Sequence, residues 1–141
     1  MGNKDFFDED DKKRIQAEYD SLVNNLLRCN KQGDREMIEK AFLVANEAHW
    51  NMRRKSGEPY IIHPISVAKI VNQEIGLGAR SITAALLHDV VEDTDYSLED
   101  VKREFGPKIA TLIDGLTKIS DTYSKGASSS LQAENFRKML L

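Results

Sequence analysis

Apolar residues in this chain return at steps of three and four along almost its whole length, and no stretch alternates apolar with polar long enough to line one face of a sheet. That periodicity predicts an all-α domain. A first amphipathic helix is expected from about Glu9 to Arg28, with Ile15, Tyr19, Leu22, Val23 and Leu26 on its apolar side. Residues 31–33 break it. Asp34 then reads as the N-cap of a second helix reaching about Lys55, on which Ile38, Ala41, Phe42, Ala45 and Ala48 or His49 share a face. Ser56, Gly57 and Pro59 end that helix. Pro64 suits a first helical turn, where its missing N–H has no partner to lose, so His63 stands at the start of a third helix, closed by Gly76 and Gly78.

A fourth helix is expected from about Ala79 to Val91, with Ile82, Ala85, Leu86 and Val90 as its buried stripe. Ser97 to Asp100 resembles a capping box, with Asp in place of the usual Glu or Gln, and starts a short helix stopped by Gly106 and Pro107. A sixth helix follows from about Pro107 to Ile119. The polar, Ser-rich segment SDTYSKGASSSLQ then predicts a mobile loop before a last helical piece, AENFRKMLL.

A formal charge of -3 argues against gripping nucleic acid through the overall field, so any anion site must be built locally. The lone Cys29 can form no internal disulfide, and no apolar run approaches the ~18 residues a membrane span needs. The opening MGNKDFFDEDDKKR is charged where a secretory signal is apolar, and Phe6 stands where a myristoylation motif has Ser or Thr. A cytoplasmic protein is expected. Cys29 reads as an inert thiol.

The stretch AALLHDVVEDT, residues 84–94, begins as an apolar helix and then sets His88, Asp89, Glu92 and Asp93 within six positions. His88 and Glu92 are four apart, as are Asp89 and Asp93, so all four can border one cavity from a single turn. Placing a histidine and three carboxylates beside an apolar stripe costs desolvation and mutual repulsion, which a divalent cation relieves. His88 and Asp89 can ligate one ion if another segment helps, and His63 is the candidate third ligand. Glu92 and Asp93, one turn on, are better placed to orient or deprotonate a water held by the ion. The bland alternative is a solvated acidic helix end.

A second cluster, RRKSGEPYIIHP, precedes His63. Arg53, Arg54 and Lys55 suit a helix C-terminus, where cations complement the dipole, but with Ser56 and Gly57 they also make a basic loop. A guanidinium can stack on a base while an ammonium and backbone N–H groups meet phosphate oxygens. Metal ligands beside a cationic loop point to phosphate-ester chemistry. His49, Trp50 and Tyr60 read as packing residues, His49 as hydrogen-bonded and partly buried.

With AFLVANEAHWNMRRKSGEPYIIHPISVAKI, ITAALLHDVVEDTDYSLEDVKREFG and LIDGLTKIS in this order, the chain resembles the hydrolase domain of the RelA/SpoT family, the bifunctional (p)ppGpp synthetases and hydrolases of bacteria. The resemblance runs from about Phe42 onward. It implies an HD-domain helical bundle over residues 34–141, preceded by an N-terminal helix over residues 1–33. It implies removal of pyrophosphate from the 3′ position of (p)ppGpp, dependent on manganese, Mn²⁺. His63, His88 and Asp89 match family metal ligands, Glu92 and Asp93 the acidic pair that serves catalysis, and Arg54, Lys55 and Ser56 the loop that holds the nucleotide. Mixed imidazole and carboxylate donors suit Mn²⁺, although affinity alone would not exclude Zn²⁺ or Fe²⁺. The resemblance further implies a synthetase domain downstream in the parent protein, with no membrane and no direct nucleic-acid binding by this domain.

Two departures from the family pattern bear on the site. Asn51-Met52 stand where the family usually has Gly-Gln. The family's fourth ligand, an Asp in an ADRLHN-like segment, has no counterpart in this chain, and neither Asp114 nor Asp121 reads as its substitute. The expectation is a C-terminally incomplete HD domain that binds metal weakly or not at all and is a poor enzyme alone. The alternatives are an HD phosphohydrolase acting on another nucleotide, or a catalytically silent domain regulating an alarmone synthetase.

Overall fold

The computed structural model describes residues 6–123, with side chains as far as Leu116. The expected helix AENFRKMLL and all but four residues of the expected Ser-rich loop lie outside them. Helix α1 spans Glu9–Val23 and starts from a reciprocal cap. Asp8 Oδ1 accepts from the Asp11 N–H at 2.8 Å, and Asp11 Oδ2 accepts from the Asp8 N–H at 2.9 Å. α1 stops five residues short of the expected Arg28. The reason is side-chain competition for the backbone. Asn25 donates to the Ser21 carbonyl, and the fully buried Asn72 accepts from the Leu27 N–H at 3.0 Å and donates to the Asn25 carbonyl at 2.8 Å.

Helix α2 spans Asp34–Ala48, with Gly33 (φ +90°) as its N-cap rather than Asp34. The Asp34 carboxylate reaches back to the Lys31 N–H at 3.0 Å. α2 ends at His49, not near Lys55, and Asn51 takes the left-handed conformation (φ +65°) that Asn tolerates better than most residues. Beyond it the chain folds back on itself. Arg53 and Pro59 form an isolated antiparallel bridge, and the Tyr60 N–H donates to the Met52 carbonyl at 2.8 Å. Arg53, Arg54 and Lys55 therefore belong to a hairpin-like loop and not to a helix C-terminus.

Helix α3 spans Ile62–Ile70 and runs into a π-helical turn, Val71–Ile75, closed by Gly76 at φ +76°. Helix α4 spans Ala79–Asp93, α5 Leu98–Phe105 and α6 Pro107–Tyr123. The expected Ser97–Asp100 box caps α5, with the Ser97 N–H donating to Asp100 at 2.9 Å. α6 continues through Tyr123, four residues into the segment expected to be loop. Among the described residues there is no strand, and the architecture is all-α.

α4 is the centre of the fold, packed by α2, α3 and α6, with α5 against α6 and α1 against α3. It was expected to bury one stripe, yet every residue from Ser81 to Val90 is buried. A helix enclosed on all sides has no solvent face to reserve for polar groups. Thr83, His88 and Asp89 are consequently interior, and α4 reaches the surface only at its two ends, at Arg80 and in the last turn. Tyr19 stacks on Phe42 at 4.1 Å between ring centres, which ties α1 to α2. No helix among the described residues is long and apolar enough to cross a membrane.

Candidate metal and phosphate-ester site

The chain's three histidines, 49, 63 and 88, come from three different elements and meet at the C-terminal end of α4. His88 and Asp89 are placed there by the central helix. His63 arrives on the first turn of α3, fixed where the Tyr60 carbonyl accepts its N–H at 3.0 Å. His63 Nε2 lies 3.6 Å from Asp89 Oδ2, and His88 Nε2 lies 3.2 Å from Asp89 Oδ1. One carboxylate thus stands between two imidazoles from separate helices.

Two details bear on what this cluster can hold. His88 Nδ1 lies 2.8 Å from the Ala85 carbonyl, an acceptor only, so Nδ1 donates there and Nε2 is the nitrogen turned toward Asp89. Asp89 Oδ2 is buried without a hydrogen-bond partner among the described residues. A buried anionic oxygen in that condition is unfavourable unless a cation satisfies it. Burial lowers the pKa of His63, Arg54 and His88 push it the same way, and the Asp89 and Asp93 charges only partly oppose them. Neutral imidazoles are the ligating form. In donor type and in its orphaned oxygen the cluster suits a divalent cation, although among the described residues no group of three His, Cys, Asp or Glu side chains is arranged to hold one.

Access is graded. The His88 and Asp89 side chains are 7% and 10% exposed, whereas that of His63 is 37% exposed and forms the mouth of the cluster. Asp93 and Glu92 lie one turn further out, on the exposed end of α4.

The basic loop approaches from the same side through one of its residues. The Arg54 guanidinium lies 5.9 Å from the centre of the Tyr60 ring, and its charge is felt at His63. Lys55 is exposed, and exposed Ser56 hydrogen-bonds to Glu58, so the structure ties neither directly to the histidines. Arg53 turns away to Asp11 of α1.

Two residues read from sequence as mere packing sit inside this arrangement. His49 is fully buried, and neither ring nitrogen has a hydrogen-bond partner among the described residues. The sequence reading had it hydrogen-bonded and partly buried. Its Nε2 is 3.9 Å from Asp93 Oδ2, too long for a hydrogen bond, and burial lowers its pKa. Tyr60 lies against it with ring centres 4.6 Å apart, and its hydroxyl lies near Asp93. Burial first, then the Asp89 and Asp93 charges, raise the Tyr60 pKa, so its hydroxyl stays protonated beside Asp93. The available signal was position: both residues flank the basic loop, on the chain that links α2 to the His63 helix.

A His-Asp pair on the central helix of an all-α core, faced by a histidine from a neighbouring helix, defines the class. The family model described as the HD domain matches residues 41–141, and the chain belongs to that family. It is 47% identical over 106 residues to a guanosine-3′,5′-bis(diphosphate) 3′-pyrophosphohydrolase of Aquifex aeolicus, covering 75% of this chain and 14% of that protein. It is 42% identical over 123 residues to the protein of the same name in Vibrio cholerae, covering 87% and 17%. Against the bifunctional (p)ppGpp synthase/hydrolase SpoT of Escherichia coli it is 41% identical over 124 residues, covering 87% and 17%. These matches place the domain among the RelA/SpoT proteins, and the chain spans less than a fifth of the length of these relatives.

Proposed function

We propose that this chain is the hydrolase domain of a RelA/SpoT protein, acting in the cytoplasm to remove pyrophosphate from the 3′ position of (p)ppGpp and leave GDP or GTP. The observation that carries the reading is the Asp89 carboxylate set between two imidazoles, its orphaned Oδ2 facing His63 and its Oδ1 facing Nε2 of His88, one turn before an acidic pair. The names of the relatives supply the substrate class.

His63, His88 and Asp89 would hold a divalent cation, for which we propose Mn²⁺ on the mixed imidazole and carboxylate donors. When bound, such an ion supplies Lewis-acid polarisation of a phosphoryl oxygen and a lowered pKa for water. Asp93, near the Tyr60 hydroxyl, and Glu92 would orient the attacking water and accept its proton. Water adds to the phosphorus bonded to the 3′ oxygen, that P–O bond breaks, and the 3′ oxygen takes up a proton as pyrophosphate leaves. Arg54, Lys55 and Ser56 receive the guanine and the neighbouring phosphates, with the Arg54 guanidinium free to stack. With His63, His88 and Asp89 as its protein donors, the 141-residue chain would bind the ion weakly and turn over slowly compared with a parent protein that carries a synthetase domain downstream.

The test is pyrophosphate release in Mn²⁺ from ppGpp, pppGpp and a panel of other nucleotides, by the parent protein and its His88→Ala form. The expected result is hydrolysis selective for the guanosine alarmones and abolished by the substitution. Faster turnover of an unrelated nucleotide would indicate the broader HD phosphohydrolase. Hydrolysis unchanged in His88→Ala would overturn both readings, and an inert wild type would leave the regulatory one.

A further inference from the structure

His49 is a buried titratable side chain that the proposed reaction leaves without a task. It is fully enclosed, and neither ring nitrogen has a hydrogen-bond partner among the described residues. Buried polar atoms are ordinarily satisfied, so an imidazole idle at both nitrogens needs a physical account. Its backbone is fixed from both sides. The His49 N–H donates to the Ala45 carbonyl at 3.0 Å, and the His49 carbonyl accepts from the Met52 N–H at 3.0 Å. With the Tyr60 ring packed against it at a tilt of 33°, the imidazole has little room to turn away from what it faces.

Nε2 faces Asp93 Oδ2 across 3.9 Å. Asp93 is the last residue of α4 and its side chain is 38% exposed, so the carboxylate, unlike the ring, is free to move. A displacement of about 1 Å brings the two atoms to the usual N–H···O distance of about 2.9 Å. Charge then decides which nitrogen carries the proton. Burial keeps the ring neutral, and a neutral imidazole has a single N–H to place. A carboxylate acceptor makes a hydrogen bond about twice as strong as a neutral one. The Ala45 carbonyl also acts on the ring, but it is neutral and out of hydrogen-bond geometry, and Asp89 acts through its charge without an ion pair to His49 among the described residues. The proton belongs on Nε2.

We propose that His49 is a positioning residue for Asp93, its Nε2–H holding Oδ2 so that Oδ1 is left aimed at the attacking water. The inference rests on the reading of Asp93 as a group that orients and deprotonates that water. The ring acts through the carboxylate and touches no reacting atom.

The contact is read first in the unaltered 141-residue chain in EDTA. Long-range proton–nitrogen NMR correlation of the histidine rings is expected to show His49 as the Nε2–H tautomer, its ring proton protected from exchange and shifted upfield in Asp93→Ala. The Nδ1–H tautomer, or an Nε2–H resonance unmoved in Asp93→Ala, would overturn the proposal. In the parent protein, His49→Leu should lower kcat for ppGpp hydrolysis by about 10- to 100-fold with KM within about twofold. His49→Gln, whose amide sets an N–H₂ near the place of Nε2, should recover most of that loss. In an Asp93→Asn background His49→Leu should cost little more, because the two residues act as one unit. A loss confined to KM, equal losses in folded His49→Gln and His49→Leu, or an undiminished further loss in Asp93→Asn would each reject the positioning role. An inert parent protein would instead end the hydrolase reading, and the ring spectra of the chain would still decide whether Nε2–H faces Asp93.

Discussion

Nε2 of His63 lies 3.6 Å from Oδ2 of Asp89, the oxygen of that carboxylate with no hydrogen bond among the described residues. In the metal-free chain this oxygen is a liability, because a buried anion without a donor keeps its desolvation cost. Asp89→Asn removes the charge and adds an N–H₂ group that can donate to His63. The variant is expected to melt at the same temperature as the wild type or higher in EDTA. In saturating Mn²⁺ the order reverses, since a ligand at about 100 times its Kd stabilises the fold that binds it by about 2.7 kcal/mol. Differential scanning calorimetry with and without Mn²⁺ reads both halves, and a metal-induced rise retained in Asp89→Asn would remove Asp89 from the ligand set.

Asp93 and Glu92 are distinguished by support. Asp93 lies near the Tyr60 hydroxyl, and Tyr60 lies against the buried His49. If Asp93 is the group that takes the proton, Asp93→Asn lowers kcat by about 10²–10⁴-fold, the usual worth of a positioned acid or base. Tyr60→Phe leaves the carboxylate in place but less well aimed, and should lower kcat by about tenfold with KM little changed. Single-turnover hydrolysis of ppGpp by the parent protein measures both. A Tyr60→Phe defect confined to KM would instead make Tyr60 a substrate contact.

The helical class and most element starts were legible because they depend on local rules. The Ser97 cap, Pro64 in the first turn of α3 and the glycines after it act within a few residues of themselves. The ends of α1 and α2 were not legible. α1 stops because Asn72, 45 residues away from Leu27, receives the released backbone, and periodicity carries no information about such a partner. The same limit hid His49. On the helical wheel it continues an apolar face, and only the packing of α2 on α4 turns that face toward Asp93. His63, His88 and Asp89 could be grouped from sequence because a histidine and carboxylates beside an apolar stripe are costly to place together, whereas His49 and Tyr60 stand among apolar neighbours in sequence and gave no such signal.

Arg53 was expected to contribute to the basic loop and instead clasps α1. Its two terminal nitrogens donate to Asp11 Oδ1 at 3.3 Å and Oδ2 at 2.6 Å, and also to the carbonyls of Gly57 and Phe6. The guanidinium rests 5.3 Å from the centre of the Phe7 ring. Both partners are partly sheltered, so the pair exceeds the usual near-zero worth of an exposed ion pair, and Arg53→Ala should cost about 1–2 kcal/mol in urea unfolding. The Arg53 hydrogen bond and then the Asp8 backbone N–H hold the Asp11 carboxyl below its ordinary pKa. A carboxyl lowered by folding stabilises the native state at pH values above its unfolded pKa, and the contribution is lost as pH falls through the folded one. The gap between wild type and Asp11→Asn should therefore be full at pH 7 and shrink below about pH 4. A gap that widened with acid would exclude the ion pair as its source.

Gly106 joins α5 to α6 at φ +97° and ψ 163°, a region nearly closed to residues with a Cβ. Its N–H donates to the Lys102 carbonyl at 3.0 Å, which closes α5, and a Cβ built on it would meet nothing within 4 Å. Space is therefore not the constraint, and the whole cost of Gly106→Ala falls on the backbone, at about 1–3 kcal/mol. Gly33 offers the comparison. It also has a positive φ and an open surround, but its φ +90° and ψ −11° lie nearer the left-handed region that L residues do visit, so Gly33→Ala should cost about 1 kcal/mol. A D-alanine at position 106, introduced by chemical ligation, can adopt the mirror-image conformation and should match or exceed wild-type stability. If L- and D-alanine destabilised the chain equally, the cost would lie in side-chain packing that the open surround of Gly106 does not contain, and the backbone account would be wrong.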